Sequence, residues 1–177
     1  MASLANNHNS DIIIRRVRGE KRKFDKNNEW ICYVRDNHQH VIVPIKMHPI
    51  IAQQLNTSRN DRLFLSFILT KNYPFECPKV TFNKQSLPTF YFKNFSNCGE
   101  IFEEDYKTLK SANCLCCCTI LCPDNWEPTY SIKDVIDEFN KITSWKIKVV
   151  EKLMCRKVQE QLLPELPVKY YPIHEYL

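Results

Sequence analysis

Five of the chain's nine cysteines fall at positions 114, 116, 117, 118 and 122. A thiol can serve as a nucleophile, a metal ligand or half of a redox pair. A nucleophilic cysteine reacts as its thiolate and so needs exposure with positive charge or a helix start nearby. Cys117 has no adjoining Lys, Arg or His. For metal, Cys114 and Cys117 form a Cys-x-x-Cys pair and Cys122 supplies a third sulfur. Structural zinc usually takes two such pairs, so Cys98, Cys155 or His174 would have to complete the set, and no metal site is expected. A thioredoxin-like redox pair needs a βαβ context, which the pattern lacks.

Clustered thiols in an odd number, with no apolar leader ahead of them, are expected in a reducing setting, cytoplasmic or nuclear, rather than in a disulfide framework. Cys32, Cys77 and Cys155 are expected to pack as small hydrophobes. The two glycines, Gly19 and Gly99, argue against phosphate-cradling loops, and no cofactor is expected. The net charge of +5 is mild. Its densest run, Arg15 to Lys26, has no nucleic-acid recognition motif beside it, and nucleic acid is not expected as a partner. No apolar run approaches the ~20 residues that cross a bilayer, so no membrane partner is expected either. The frequent Asn, Lys and Ile are typical of AT-rich coding DNA, as in some large DNA viruses and parasites.

The elements that position the cluster follow from periodicity. Residues 1–10 are polar and Asn-rich and are expected to be a disordered tip. A core domain is expected over 11–163 and a tail over 164–177. Asp11 to Phe24 has the spacing of a helix, with Asp11 as N-cap and Gly19 as a weak point. Trp30 to Val34 and Val41 to Lys46 are expected strands around the turn Asp36-Asn37-His38-Gln39. His48 to Asn60 is a connection with about one helical turn. Leu63 to Leu69 is an apolar run with little alternation, expected to be a central strand covered on at least one face, and Lys79 to Phe82 a fourth. Asn83 to Ala112 is read as irregular. Ser131 and Asp134 make a capping-box-like start. Ile132, Val135, Ile136, Phe139, Ile142, Val149, Leu153 and Val158 then recur at helical spacing, for one bent helix or two. The expected fold class is α+β: an N-terminal helix, a four-stranded antiparallel meander, a thiol-bearing loop and C-terminal helices.

Two stretches carry a resemblance. Tyr73-Pro74-Phe75, then Pro78, Val80 and Phe82, is similar to the strand exit of the ubiquitin-conjugating enzymes. Trp126-x-Pro128 followed by Ser131-Ile132-x-x-Val135-Ile136 resembles the stretch after their active site. Setting Ile120-Leu121 on the family's Cys-Leu-x-Ile-Leu pattern makes Cys117 the nucleophile, with Cys114 and Cys118 as alternatives. The resemblance runs from about Asp11 to Glu160. The Gly-Pro-x-x-x-x-Tyr-x-Gly-Gly turn is missing, and so is His-Pro-Asn, whose nearest echo is Tyr91-Phe92-Lys93-Asn94. Keeping Cys117 requires about fifteen residues inserted after Ile101.

The resemblance implies a UBC-like fold and an acyl-transferring enzyme. It would accept ubiquitin or a ubiquitin-like protein from an activating enzyme as a cysteine thioester, then pass it to a substrate lysine with a ligase's help. Asn94 would be the oxyanion donor, with Asn113 or Asn125 offered by proximity. Asp124 could orient the incoming amine. The basic face of the first helix would dock the activating enzyme, although a charge run is more often a solvated face. The alternative is a catalytically inactive UBC-like or RWD-like binding module, which shares the strand exit and lacks the reactive thiol.

Overall fold

The computed structural model describes residues 3–46, 48–54, 63–92 and 119–162. These residues form an α+β arrangement, with helices α1 (Ser3–Phe24), α2 (Pro49–Gln54), α3 (Leu87–Phe92) and α4 (Ile132–Leu162). One antiparallel sheet runs in sequence order through β1 (Ile31–Arg35), β2 (His38–Ile45), β3 (Leu63–Leu69), β4 (Lys79–Phe82) and β5 (Gln85–Ser86). The meander therefore has five strands instead of the expected four.

The extra strand comes from local turn chemistry. Asn83 and Lys84 both have positive φ, 47° and 63°, which lets two residues reverse the chain. The β1–β2 hairpin uses the same device at Asp36 and Asn37, with φ of 50° and 60°. Asp and Asn tolerate this region better than most residues. His38 and Gln39, expected in the turn, are instead the first residues of β2.

β3 alternates strictly between buried and half-buried residues along its length. It lies at the centre of the sheet with one face closed, as expected. Leu65 and Phe67 form two cross-strand rows, Val43–Leu65–Phe82 and Val41–Phe67–Val80. On this face α4 supplies Phe139, whose ring lies 4.9 Å from Phe82 and 5.8 Å from Phe90. Phe82 and Phe90 meet edge-on at 4.8 Å. α1 brings Ile13 and Val17 into the same core.

α4 is a single helix of 31 residues. Ser131 starts it with a reciprocal cap: the Asp134 amide donates to Ser131 Oγ at 3.4 Å, and the Ser131 amide donates to Asp134 Oδ2 at 2.7 Å. Ile132, Val135, Phe139, Ile142 and Val149 are buried, as their spacing predicts, whereas Val158 is exposed. α1 starts at Ser3, so most of the segment expected as a disordered tip is helical and Asp11 lies inside the helix, not at its cap. The polar residues before Asp11 show no apolar period, which is why pattern reading misses them. α3 falls in a stretch read as irregular, and its Leu87, Phe90 and Tyr91 are buried. Among the described residues, no helix is long and apolar enough to cross a membrane.

Candidate functional site

The residues after β3 turn through Thr70 to Pro78 before entering β4. The Tyr73–Pro74 bond is cis. The Tyr73 amide donates to Thr70 O and the Phe75 amide to Asn72 O, at 3.1 and 2.8 Å, so the exit is a tight turn. Tyr73 and Pro74 face inward, while Phe75 is 80% exposed. An open cleft of about 370 Å³ lies there, lined by residues 71–76 and by Ile12 of α1, itself 49% exposed.

Residues 119–131 dock against this turn. Trp126 is buried and its indole Nε1–H donates to Pro74 O at 2.6 Å. Its ring lies 6.2 Å from Tyr73 and 5.7 Å from Tyr130. At the near end of the segment, the carboxylate of Glu138 on α4 takes the Thr119 hydroxyl at 2.7 Å and the Ile120 amide at 3.0 Å. The Leu121 amide donates to Thr119 Oγ1 at 3.1 Å. The turn closes with Cys122 accepting from the amides of Asn125 and Trp126.

Glu20 of α1 ties the same region from the other side. It is buried and accepts from Arg16 at 3.2 Å, from the Tyr73 hydroxyl at 3.2 Å and from the Ile132 amide at 2.8 Å. Arg16 also donates to the carbonyls of Pro128 and Tyr130 at 2.9 and 2.8 Å. One carboxylate thus joins the first helix, the strand exit and the start of α4. Burial, followed by the Glu20 charge, pushes the Tyr73 hydroxyl well above its ordinary range and keeps it a donor.

Cys117, its alternatives Cys114 and Cys118, and Asn94 and Asn113 all lie outside the described residues, as do Cys98 and His174. Asn125 is described. Its side-chain amide donates to Thr119 O at 3.2 Å and so holds the turn. Asp124 beside it is exposed. Cys32 and Cys155 are free and exposed instead of packing inside as small hydrophobes, and Cys77 is half-buried. Among the described residues, no group of three or more His, Cys, Asp or Glu side chains could hold a metal ion. On α1, Arg15, Arg18 and Arg22 are exposed at helical spacing and form a basic stripe, while Arg16 is spent internally.

Sequence reading missed Glu20, Glu138 and the apposition of Cys77 to the 119–131 segment. Only Arg16 and Glu20, four residues apart on a helix, carried a local signal. Comparison with family models, with curated proteins and with solved structures finds no match.

Proposed function

We propose that this chain is a divergent ubiquitin-conjugating enzyme. It takes ubiquitin or a ubiquitin-like protein from an activating enzyme as a cysteine thioester and passes it to a substrate lysine. The UBC-like assignment is part of this proposal. The observation that carries it is the docking of residues 119–131 on the Tyr73-Pro74 turn through Trp126. The two stretches that bear the resemblance are far apart in sequence and form one structural unit.

In this reading Cys117, two residues before Thr119, is the nucleophile, with Cys114 and Cys118 as alternatives. Its thiolate attacks the activated carboxyl carbon of the modifier, and the activating group leaves. The lysine amine then attacks the thioester carbonyl, the C–S bond breaks and the thiolate is restored. Asn94 is the proposed amide donor to the intermediate's oxyanion. The Glu138 anchor would fix the chain on the C-terminal side of the nucleophile. The basic stripe on α1 suits an acidic docking surface on the activating enzyme. Phe75 and Ile12 offer an exposed apolar patch for a further partner, a ligase in this scheme.

One observation favours the alternative of an inactive binding module. The group that receives Thr119 and Ile120 is a carboxylate, and negative charge near a thiol opposes the thiolate. A single assay separates the readings. The protein is mixed with activating enzyme, ubiquitin and ATP and run on a gel without reductant. A thiol-sensitive band larger by one ubiquitin supports the enzyme, and its absence at every tested modifier supports the binding module.

A further inference from the structure

The strand exit and the docked segment also bring two thiols together. Cys77 and Cys122 are both free and half-buried. The Cys77 thiol donates to Leu121 O at 3.1 Å and lies 3.5 Å from Pro78 O. The Leu121 carbonyl belongs to the peptide unit that leads into Cys122. Covalent geometry therefore puts Cys122 Cα within about 3 Å of that oxygen, and within about 6 Å of Cys77 Sγ. The two Cα atoms are therefore no more than about 9 Å apart, a bound that includes the about 4.4–6.8 Å a disulfide needs. The backbone on both sides is already held, by Trp126 on Pro74 and by Asn125 on Thr119.

We propose that Cys77 and Cys122 are a redox site, distinct from the cysteines at 114–118, that closes to a reversible disulfide with hydrogen peroxide as the oxidant. Burial, the Glu76 charge and Cys122 itself hold the Cys77 thiol up, which makes it the poorer first nucleophile. Cys122 therefore attacks the peroxide. One peroxide oxygen becomes a sulfenic acid on Cys122 and the other leaves as water. The Cys77 sulfur then attacks the sulfenic sulfur, the S–O bond breaks and a second water leaves. Two thiols lose two electrons and two protons, and one peroxide becomes two waters. An external dithiol reverses the bond by exchange.

The bond would covalently join the strand exit to the segment that follows the cysteine cluster, enclosing that cluster in one ring. It goes beyond the acyl-transfer proposal and holds whether or not a modifier is carried.

The test is disulfide mapping on the full chain. Reduced, desalted protein is exposed to hydrogen peroxide, blocked with N-ethylmaleimide, digested with trypsin and mapped by mass spectrometry. The expected product links fragment 72–79 to fragment 111–133, with fragmentation assigning the bond to Cys122, and dithiothreitol removes it. In Cys122→Ser the link is lost and Cys77 is alkylated in full. A bond from Cys77 to a cysteine at 114–118, or Cys77 still alkylated in oxidised wild-type protein, overturns the proposal. The wild-type map decides the matter even if the variant does not fold. No activating enzyme or modifier is present, so failure here leaves the acyl-transfer proposal untouched.

Discussion

The indole of Trp126 donates its Nε1 hydrogen to the carbonyl of Pro74 at 2.6 Å, in a place closed to solvent. This bond links two residues that are 52 positions apart, and much of the docking described above converges on it. A buried carbonyl that loses a strong donor keeps the cost of its desolvation.

Trp126→Phe preserves most of the ring packing against Tyr73 and Tyr130 and removes the donor. It is expected to cost about 1–3 kcal/mol through the unpaired Pro74 oxygen, with a smaller addition for lost volume. Urea denaturation of the two proteins measures it. A loss below about 0.5 kcal/mol, the usual range for surface changes, would mean that the bond does not anchor the segment.

Stability is expected to fall as pH rises above about 9; the Cys32 thiol, raised by partial burial, contributes, and so do two groups of the strand exit. Burial raises the Cys77 thiol from 9.0 and the Tyr73 hydroxyl from 10.0. Both groups hold their protons longer in the folded chain than in the unfolded one. Above each unfolded value the unfolded state binds fewer protons, so unfolding becomes easier with rising pH. The contribution is complete below the unfolded values and is lost on the way up to the folded ones. Cys77→Ser should flatten the slope just above pH 9, and Tyr73→Phe the part above pH 10. Denaturation curves from pH 7 to 11 provide the check.

Lys146 lies on the apolar stripe of α4 and is fully buried. Its ammonium donates to Phe90 O at 2.6 Å and sits 4.7 Å from the centre of the Phe90 ring. Lys146→Ala is expected to cost about 3–5 kcal/mol, from the cavity and the abandoned carbonyl together. Lys146→Met keeps the length and apolar volume and should cost about 1–3 kcal/mol, chiefly the carbonyl. Equal losses in the two variants would show that volume plays no part.

Gly19 lies on the exposed side of α1, and a Cβ there would meet nothing within 4 Å. Gly19→Ala should stabilise the protein by about 0.5–1 kcal/mol, because alanine loses less conformational freedom in a helix. A rise in melting temperature reports it. An unchanged or lower value would mean that α1 contributes little to the cooperative unit at that point.

Much of this fold could be read from local pattern. The β3 run, the Ser131–Asp134 cap and the stripe from Ile132 to Val149 all depend on neighbours in sequence, and all stand as expected. Lys146 shows where such reading stops. It falls on the same stripe, four residues after Ile142, yet a lysine there reads as an interruption. Its Nζ donates to the carbonyl of Phe90 and sits over that residue's ring, in a segment with no clear period of its own. Glu138 and the distant contacts of Glu20 were illegible for the same reason: beyond the local Arg16 pair, Glu20 meets Ile132 112 residues away, and Glu138 meets Ile120 18 residues away. Arg15 and Arg16 read alike in sequence, but the carbonyls of Pro128 and Tyr130 take one of them out of the exposed basic stripe.

In the proposed enzyme, a cysteine just ahead of Thr119 carries a modifier protein through its C-terminal carboxyl. Mass spectrometry of the full chain after incubation with activating enzyme, ubiquitin and ATP addresses it directly. The expected product is one ubiquitin per chain, removed by hydroxylamine or thiol, mapped to Cys117 and lost or converted to an oxyester in Cys117→Ser. An unmodified chain under conditions that charge a known conjugating enzyme, or a thioester unaffected by serine at 114, 117 and 118, would contradict it.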